Sequence, residues 1–175
     1  MNKWLWLDLE MTGLDVDKEV IIEVAAIITD TDFNELGDYH AIVKQPQEYL
    51  DNMDEWNTQH HTESGLVAKI PEGKAPHKVE AELCTLIDHH FREEPAIIAG
   101  NSITQDRIFI KKYFRELESR LHYRMLDVTG WKIIMKDKFG KEYGKRNSHR
   151  ALDDIRESIE ELKYYMKFIN LDAPE

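Results

Sequence analysis

Two acidic side chains near the N-terminus have the spacing of a metal-binding pair. Asp8 and Glu10 lie two residues apart in a predicted strand at 3–10, so both side chains project from the same face of that strand. Paired carboxylates supply the oxygen ligands that Mg²⁺ and Mn²⁺ prefer, together with water and substrate phosphate. With 34 acidic residues in the chain, such a pair could also arise by chance. The apolar run before it, Trp4-Leu5-Trp6-Leu7, instead favours a partly buried pair that has a function.

Three further residues could complete a hydrolytic site with this pair. Asp106 follows a predicted buried strand at 96–100 and opens a predicted helix that starts at Arg107, and Asp154 lies in the first turns of the last predicted helix. His149 precedes that helix, and its side chain suits proton abstraction near neutral pH. Each residue also has an ordinary structural interpretation, because acidic residues cap helices and single histidines are commonly structural. The hypothesis of a hydrolytic site therefore depends on the whole set.

The elements that must position these residues follow an α/β pattern. Short apolar runs bounded by turn residues predict an antiparallel meander of three strands, at 3–10, 20–29 and 39–43. Helix and strand then alternate, with predicted elements at 76–91, 96–100, 107–121, 123–128 and 131–139. Apolar residues from Leu152 to Ile169 predict a last helix with Ser148 as its N-cap, after a candidate mobile loop at 140–148. The expected fold class is α/β, a mixed central sheet covered by helices.

Length and composition limit the class of protein. The 175 residues, 42% hydrophobic and 33% charged, predict one globular domain over 1–175 rather than a fibrous, disulfide-rich or disordered chain. The apolar run at 4–7 is far shorter than the roughly 20 residues of a membrane span, and no small-residue cleavage site follows it. Cys84 is the single cysteine and lies in an apolar helical pattern, so a buried thiol in a reducing cytoplasm is expected.

The net charge bears on the kind of ligand. A formal charge of −11 argues against tight, sequence-blind binding of long nucleic acid, because such affinity comes from Lys and Arg neutralising many phosphates. A short nucleotide substrate is compatible with it, since two divalent cations would add about +4 at one place.

Three motifs resemble those of the DEDDh superfamily of 3′-to-5′ exonucleases. They are Asp8-Leu9-Glu10-Met11-Thr12-Gly13-Leu14, Gly100-Asn101-Ser102-Ile103-Thr104-Gln105-Asp106 and His149-Arg150-Ala151-Leu152-Asp153-Asp154. Within the superfamily the chain is most similar to the oligoribonuclease family, through Trp56-Asn57, His61-Thr62, Ser64-Gly65-Leu66, His122-Tyr123-Arg124 and Leu126-Asp127-Val128. The resemblance covers nearly the whole chain. It implies a ribonuclease H-like exonuclease fold and hydrolysis of very short RNA, chiefly dinucleotides, to nucleoside 5′-monophosphates.

The resemblance also implies roles for the site residues. Two divalent cations, Mg²⁺ or Mn²⁺, would be held by the four motif carboxylates, Asp8, Glu10, Asp106 and Asp154, with Asp8 as the bridging ligand. His149 would take the proton from the attacking water. Asp153 would be a bystander, because the family pattern places the ligand five residues after the His.

A second group of residues is implied to bind the substrate. Leu14 and Trp56 would pack against the bases, with His61 near the scissile region, although Trp56 could instead pack beneath a loop. The terminal 5′ phosphate would be held by Ser102, Arg124 and Thr129.

Tyr123 matches a residue that the family supplies at or near the active site, often across a dimer interface. It could instead be a strand aromatic in the core. Because the family forms homodimers, a homodimer is expected.

The chain departs from the family pattern after Val128. Relatives typically carry Ser-Thr there, whereas this chain has Thr129-Gly130 followed by Trp131, so one phosphate-binding hydroxyl is missing. This departure puts the strictness of the dinucleotide preference in doubt. The basic loop at 144–148 could attract RNA or could simply be solvated.

Two other functions stay open from the sequence. A DNA-directed exonuclease of the same superfamily would share all five catalytic residues, although the His122-Tyr123-Arg124 and Trp56 contexts and the acidic composition weigh against it. A catalytically silent nucleotide-binding module on the same fold would be favoured by loss of a motif residue, and none is lost.

Overall fold

The computed structural model describes residues 2–144 and 150–169. The strands are β1 (Lys3–Met11), β2 (Ile21–Asp30), β3 (Glu35–Ile42), β4 (Ala96–Gly100) and β5 (Leu121–Asp127). The helices are α1 (Gln47–Asp51), α2 (Glu55–Glu63), α3 (Pro76–Phe91), α4 (Ile103–Tyr113), α5 (Arg115–Glu118), α6 (Val128–Phe139) and α7 (Ala151–Met166), with a 3₁₀ segment at Val67–Glu72 between α2 and α3.

The five strands form one mixed sheet in the order β3-β2-β1-β4-β5. β1, β2 and β3 form the predicted antiparallel meander, whereas β1 pairs with β4, and β4 with β5, in parallel. The pairing of β1 with β4 ends at Trp6 and Ala99, so the last part of β1 extends beyond its parallel neighbour. That projecting part of β1 carries Asp8 and Glu10.

Each face of the sheet is covered by helices. The pleat of β1 sends Leu5, Leu7 and Leu9 into a core with α3 and α4. It sends Trp6 to the opposite face, where Ile155 and Ile159 of α7 pack beside it. Asp8 and Glu10 have the same parity as Trp6, so they lie on the face that α7 covers.

Several predicted elements agree closely with the structure, and Cys84 is buried in α3 as expected. The limits of α3 and β4 match the predicted 76–91 and 96–100. The predicted helix at 107–121 was wrong at both ends, because α4 runs from Ile103 to Tyr113 and Leu121 begins β5. Phe114 interrupts the helix with φ −126° and ψ 68°, although it continues the apolar spacing. Apolar periodicity alone could not detect that break.

Other boundaries differ where the apolar signal is weak. β3 begins at Glu35 rather than 39, since its first residues are exposed on the edge of the sheet. α6 begins at Val128, where the Asp127 carboxylate caps it by accepting the Thr129 N–H at 2.9 Å. The predicted cap Ser148 and the predicted loop from 145 onward lie outside the described residues.

The segment between β3 and α3 was not assigned to any element from the sequence. It holds α1, α2 and the 3₁₀ segment. α2 is polar along most of its length, and a cap supports it: the Asp54 carboxylate accepts the Asn57 N–H at 2.8 Å. Such a helix has no apolar stripe from which to predict it.

The two outer strands present different side chains to the surroundings. β3 exposes Glu35, Leu36, Asp38 and His40, whereas β5 exposes Tyr123, Arg124 and Met125. No helix in the described part of the chain is long and apolar enough to span a membrane.

Candidate active site

Three carboxylates converge at the projecting end of β1. Asp8 and Glu10 come from the strand and Asp154 from the first turn of α7, and one oxygen of each lies within 4.8 Å of the others. The neighbouring Asp153 is exposed. The packing of α7 across the β1 face therefore selects Asp154, and not Asp153, to face the strand pair.

Asp106 approaches the same stretch of β1 from α4. It lies in the first turn of that helix and is only 6% exposed. Its Oδ1 accepts a 2.9 Å hydrogen bond from the backbone N–H of Leu9, the residue between Asp8 and Glu10. This corrects the expectation that Asp106 opens its helix. The hydrogen bond from Leu9 to the Asp106 carboxylate links α4 to the part of β1 that projects beyond β4.

Burial is the largest cause of a raised pKa at three carboxylates of the site. Burial, followed by repulsion from Asp154, Glu23 and Asp106, raises the pKa of Glu10 to about 8. Burial raises the pKa of Asp106 to about 7, and burial with repulsion from Asp106 and Glu10 raises the pKa of Asp8 well above its usual range. A set of clustered carboxylate oxygens is the kind of donor set that hard divalent cations such as Mg²⁺ and Mn²⁺ prefer.

A further carboxylate beside the cluster, Glu23, has its charge compensated by hydrogen-bond donors. It is fully buried on β2 directly opposite Glu10. Burial raises its pKa, but hydrogen bonds from His40 and Arg150 outweigh burial and leave the pKa below the ordinary value. Arg150 Nη2 donates at 2.8 Å and His40 Nε2 at 2.7 Å, both to Oε1. Because Arg150 immediately precedes α7, this contact fixes the start of the helix that carries Asp154.

The Arg150–Glu23 pair is expected to contribute more to stability than a surface pair on the same helix. Arg150→Gln leaves the buried Glu23 with His40 and a long hydrogen bond from the Ala151 N–H, so we expect the free energy of unfolding to fall by about 2–3 kcal/mol, below the full cost of breaking a buried pair. Arg156→Gln removes a 4.0 Å contact to Glu35 between two half-exposed groups and should cost under about 0.5 kcal/mol. Urea unfolding of both variants measures the difference. Equal losses of unfolding free energy in the two variants would contradict the larger contribution of the Arg150–Glu23 pair.

A buried polar network anchors α7 further along its length. The Asn101 side chain, just after β4, donates to Ser158 Oγ at 2.7 Å and to Glu161 Oε2 at 3.1 Å. The Tyr165 hydroxyl donates to Glu161 Oε1 at 2.9 Å, and the Ser158 hydroxyl donates to the carbonyl of Asp154 at 2.9 Å. The network thus ties the end of β4 to the helical turn of Asp154.

α2 forms one wall beside the carboxylates. Trp56 is 66% exposed and stacks on the imidazole of His60, with centroids 4.7 Å apart and planes 11° apart. The alternative that Trp56 packs beneath a loop is therefore wrong. His61 is buried, and its Nε2 donates to the carbonyl of Met11 at 2.9 Å. Burial lowers the pKa of His61, so the ring is neutral at pH 7.

Two hydroxyls meet where the N-termini of α4 and α6 approach each other. Ser102 adopts a left-handed backbone, φ 51° and ψ 33°, and its N–H donates to Thr129 Oγ1 at 2.9 Å and to Asp127 Oδ1 at 3.1 Å. The Ser102 and Thr129 hydroxyl oxygens are 3.2 Å apart. Helix N-termini with nearby hydroxyl donors favour anions.

The remaining predicted substrate residues are exposed. Leu14 is 74% exposed, and its carbonyl accepts a 2.9 Å hydrogen bond from Gln105 Nε2, which holds its loop against α4. Tyr123 is 72% exposed on β5, so it is not a core aromatic. The Arg124 guanidinium lies 5.1 Å from the Tyr123 ring centroid. The Tyr123 carbonyl accepts a 3.2 Å hydrogen bond from Arg107 of α4, but no contact described for the Tyr123 or Arg124 side chain reaches the acidic cluster, so their roles stay predictions.

Comparison with known proteins identifies the family. Residues 5–162 match the RNase T exonuclease family. An oligoribonuclease of Francisella tularensis subsp. tularensis strain WY96-3418 is 46% identical over 166 residues, which cover 92% of each chain. The chain belongs to the oligoribonuclease family. An oligoribonuclease of Pseudomonas paraeruginosa strain PA7 is 43% identical over the same share of both chains. The resemblance inferred from the motifs is confirmed.

Solved structures confirm the fold. Escherichia coli exonuclease I in complex with a dA16 oligonucleotide has a TM-score of 0.72 at 16% identity over 95% of this chain. Exonuclease I of Methylocaldum szegediense has a TM-score of 0.70 at 17% identity over 96% of this chain. This oligoribonuclease-family chain spans 41% of the length of each of those chains. The mixed sheet with its covering helices is thus the exonuclease fold that was expected.

His149 lies outside the described residues of this oligoribonuclease-family chain, so its role stays a prediction. The side chain of Arg150, which begins the next described segment, donates to Glu23 at 2.8 Å. The sequence reasoning missed Glu23, Arg150 and the Asn101 network. An acidic residue within the apolar run Ile21-Ile22-Glu23-Val24-Ala25 was an available signal, because a buried charge requires partners.

Proposed function

We propose that this protein is a 3′-to-5′ exoribonuclease that hydrolyses very short RNA, chiefly dinucleotides, to nucleoside 5′-monophosphates. The observation that carries the proposal is the convergence of Asp8, Glu10 and Asp154 within 4.8 Å, with Asp106 hydrogen-bonded to the strand between the first two. The similarity to oligoribonucleases over 92% of the chain supports the substrate class.

The four carboxylates, Asp8, Glu10, Asp106 and Asp154, would hold two divalent cations. When bound, such cations supply the Lewis acidity that phosphodiester hydrolysis requires. Asp106 holds β1 in place through the Leu9 N–H, and Asp154 closes the cluster from α7. His149 would accept the proton of the attacking water as general base. No covalent protein intermediate is required.

Binding of a dinucleotide would depend on its two ends. Leu14 and Trp56, both largely exposed, would receive the bases, and Trp56 is held for stacking by His60. His61 lies beside Glu10, near the proposed scissile bond. The paired hydroxyls of Ser102 and Thr129 support a terminal phosphate site, to which Arg124 would contribute a charge. A substrate site that is closed where the terminal 5′ phosphate binds would favour the shortest substrates.

The test is the initial rate on 5′-phosphorylated RNA of two, three, five and ten nucleotides, with Mg²⁺ or Mn²⁺ and an EDTA control. We expect a steep preference for two nucleotides, nucleoside 5′-monophosphates as products, and loss of activity in EDTA and in His149→Ala. A flat length profile would contradict the dinucleotide preference. Greater activity on long single-stranded DNA would favour the DNA-directed alternative, and metal binding without turnover would favour the silent module.

Gly130 offers a separate test of the phosphate site. It is exposed in the first turn of α6, and an added Cβ would meet no heavy atom of the described residues within 4 Å. Gly130→Ala and Gly130→Ser should both stabilise the helix, by roughly 0.5–1 kcal/mol for Ala. Only Gly130→Ser adds a donor, so we expect it alone to lower KM for the 5′-phosphorylated dinucleotide, by about two- to tenfold. Equal KM values in the two variants would argue against a phosphate at this site.

We also propose a homodimer, with Tyr123 near the contact. The support is a set of exposed apolar side chains on and beside β5, namely Ile108, Tyr123 and Met125. We further propose one exonuclease domain over residues 1–175, which the five-stranded sheet of the described residues supports. The buried Cys84 thiol supports a cytoplasmic location.

A further inference from the structure

A second group of metal-ligating side chains adjoins the carboxylate cluster. One ligand atom each of Glu10, His60 and His61 lies within 4.8 Å of the other two. Glu10 belongs to both groups, whereas the two imidazoles come from α2. This group offers two nitrogens and one oxygen, in contrast to the all-oxygen set of Asp8, Glu10 and Asp154.

His61 is held in the manner of a metal-binding histidine. Its Nε2 donates to the carbonyl of Met11, which fixes the neutral tautomer with its lone pair on Nδ1. Metal-ligating histidines characteristically donate their second ring nitrogen to a backbone carbonyl or a carboxylate. Because the ring is buried, this orientation is maintained without a bound ion.

His60 is also constrained. Its ring stacks on Trp56 and meets the His61 ring nearly edge-on, with centroids 5.4 Å apart and planes at 74°. Two adjacent residues of a helix thus bring their imidazoles next to one strand carboxylate. Little side-chain freedom remains to be lost when a ligand binds both rings.

We propose that Glu10, His60 and His61 form a site for a borderline transition-metal dication such as Zn²⁺, whose occupation withdraws Glu10 from the Mg²⁺ site and inhibits the enzyme. Imidazole with one carboxylate is a donor set that zinc accepts, with water in the remaining position. Mg²⁺ takes oxygen ligands and does not compete for the imidazoles. The net negative charge of the neighbouring carboxylates attracts either ion.

The inhibitory part of this inference rests on the proposed function, because it requires Glu10 to serve the reaction. The binding part does not, since Zn²⁺ affinity can be measured without turnover. The two can therefore fail separately.

The experiment is a Zn²⁺ titration of the full chain with saturating Mg²⁺, followed by calorimetry and by tryptophan fluorescence. His60→Gln is compared with His77→Gln, which changes an exposed histidine of α3. We expect His60→Gln to weaken Zn²⁺ binding by about tenfold or more and His77→Gln to leave it unchanged. The Zn²⁺ concentration that halves dinucleotide hydrolysis should rise by the same factor in His60→Gln. Trp56→Phe should remove the fluorescence response while binding persists in calorimetry.

Two further measurements keep the result interpretable. Circular dichroism establishes that His60→Gln is folded, and Glu10→Gln provides a second variant that should also lose Zn²⁺ affinity. Equal Zn²⁺ affinity in wild type and His60→Gln would overturn the site. Zn²⁺ binding that depends on His60 but leaves hydrolysis unaffected would overturn the competition for Glu10. Zn²⁺ binding that depends on His60 in a protein without nuclease activity would support the site and overturn the proposed function.

Discussion

Asp154→Asn is expected to lower kcat for dinucleotide hydrolysis by about 10³-fold, the order seen when a group that stabilises transition-state charge is lost. Asp153→Asn should change kcat by less than about threefold, because loss of an exposed charge outside the site has little effect. The two residues are adjacent and chemically identical, but Asp154 alone joins Asp8 and Glu10, whereas Asp153 is exposed.

The comparison requires kcat, metal affinity and thermal stability for both variants. Asp154 repels Asp8 and Glu10, so its neutralisation removes that repulsion, and thermal unfolding without metal measures the net effect on folding. A loss of activity in Asp154→Asn with unchanged folding and weaker metal binding supports its role as a ligand. Equal losses of activity in the two variants would contradict the orientation of α7 in which Asp154 faces Asp8 and Glu10 and Asp153 faces solvent.

The metal-free protein is expected to become less stable as the pH rises from about 5 to about 8. The pKa of Glu10 is raised from 4.5 to about 8, and that of Asp106 is raised from 3.8 to about 7. The folded chain therefore binds more protons than the unfolded chain across this interval, and the free energy of unfolding falls with each added pH unit. Below about pH 4.5 the trend reverses, because the pKa of Glu23 is lowered by its hydrogen bonds and protonation removes that contribution.

Thermal unfolding between pH 4 and 9, in EDTA and then with Mg²⁺ or Mn²⁺, measures this dependence. We expect a divalent cation to raise the melting temperature most at pH 8, where the carboxylates are charged. Glu10→Gln should be more stable than wild type in EDTA at pH 8 and should gain less from metal. Glu55→Gln, at an exposed position of α2, should behave as wild type. Wild-type stability that increases up to pH 8 in EDTA would contradict the burial of these charges.

Much of the fold could be predicted because its core elements have strong apolar patterns. α3 and β4 were located to the residue, and β1 and β2 to within one residue at each end. The errors have physical causes. α2 is polar and depends on its Asp54 cap, and the turn at Phe114 does not interrupt the apolar spacing. Boundaries set by capping and backbone angles leave little trace in hydrophobic periodicity.

The candidate site was predictable in its residue types but not in its contacts. The motifs identified Asp8, Glu10 and Asp154, and the structure brings them together. The pairing of Glu23 with Arg150 spans 127 residues of sequence, and no local pattern encodes such a contact. The exposure of Trp56 likewise depends on how α2 packs.

The unequal edges of the sheet limit how copies of the chain can assemble. Exposed Glu35 and Asp38 oppose the addition of another strand beside β3, whereas β5 presents Tyr123 and Met125. Growth of a filament requires two different surfaces of each copy, whereas a contact between two β5 strands uses the same surface of both copies. Copies joined through β5 in the proposed dimer would therefore form a closed pair, with a β3 strand left at each outer edge.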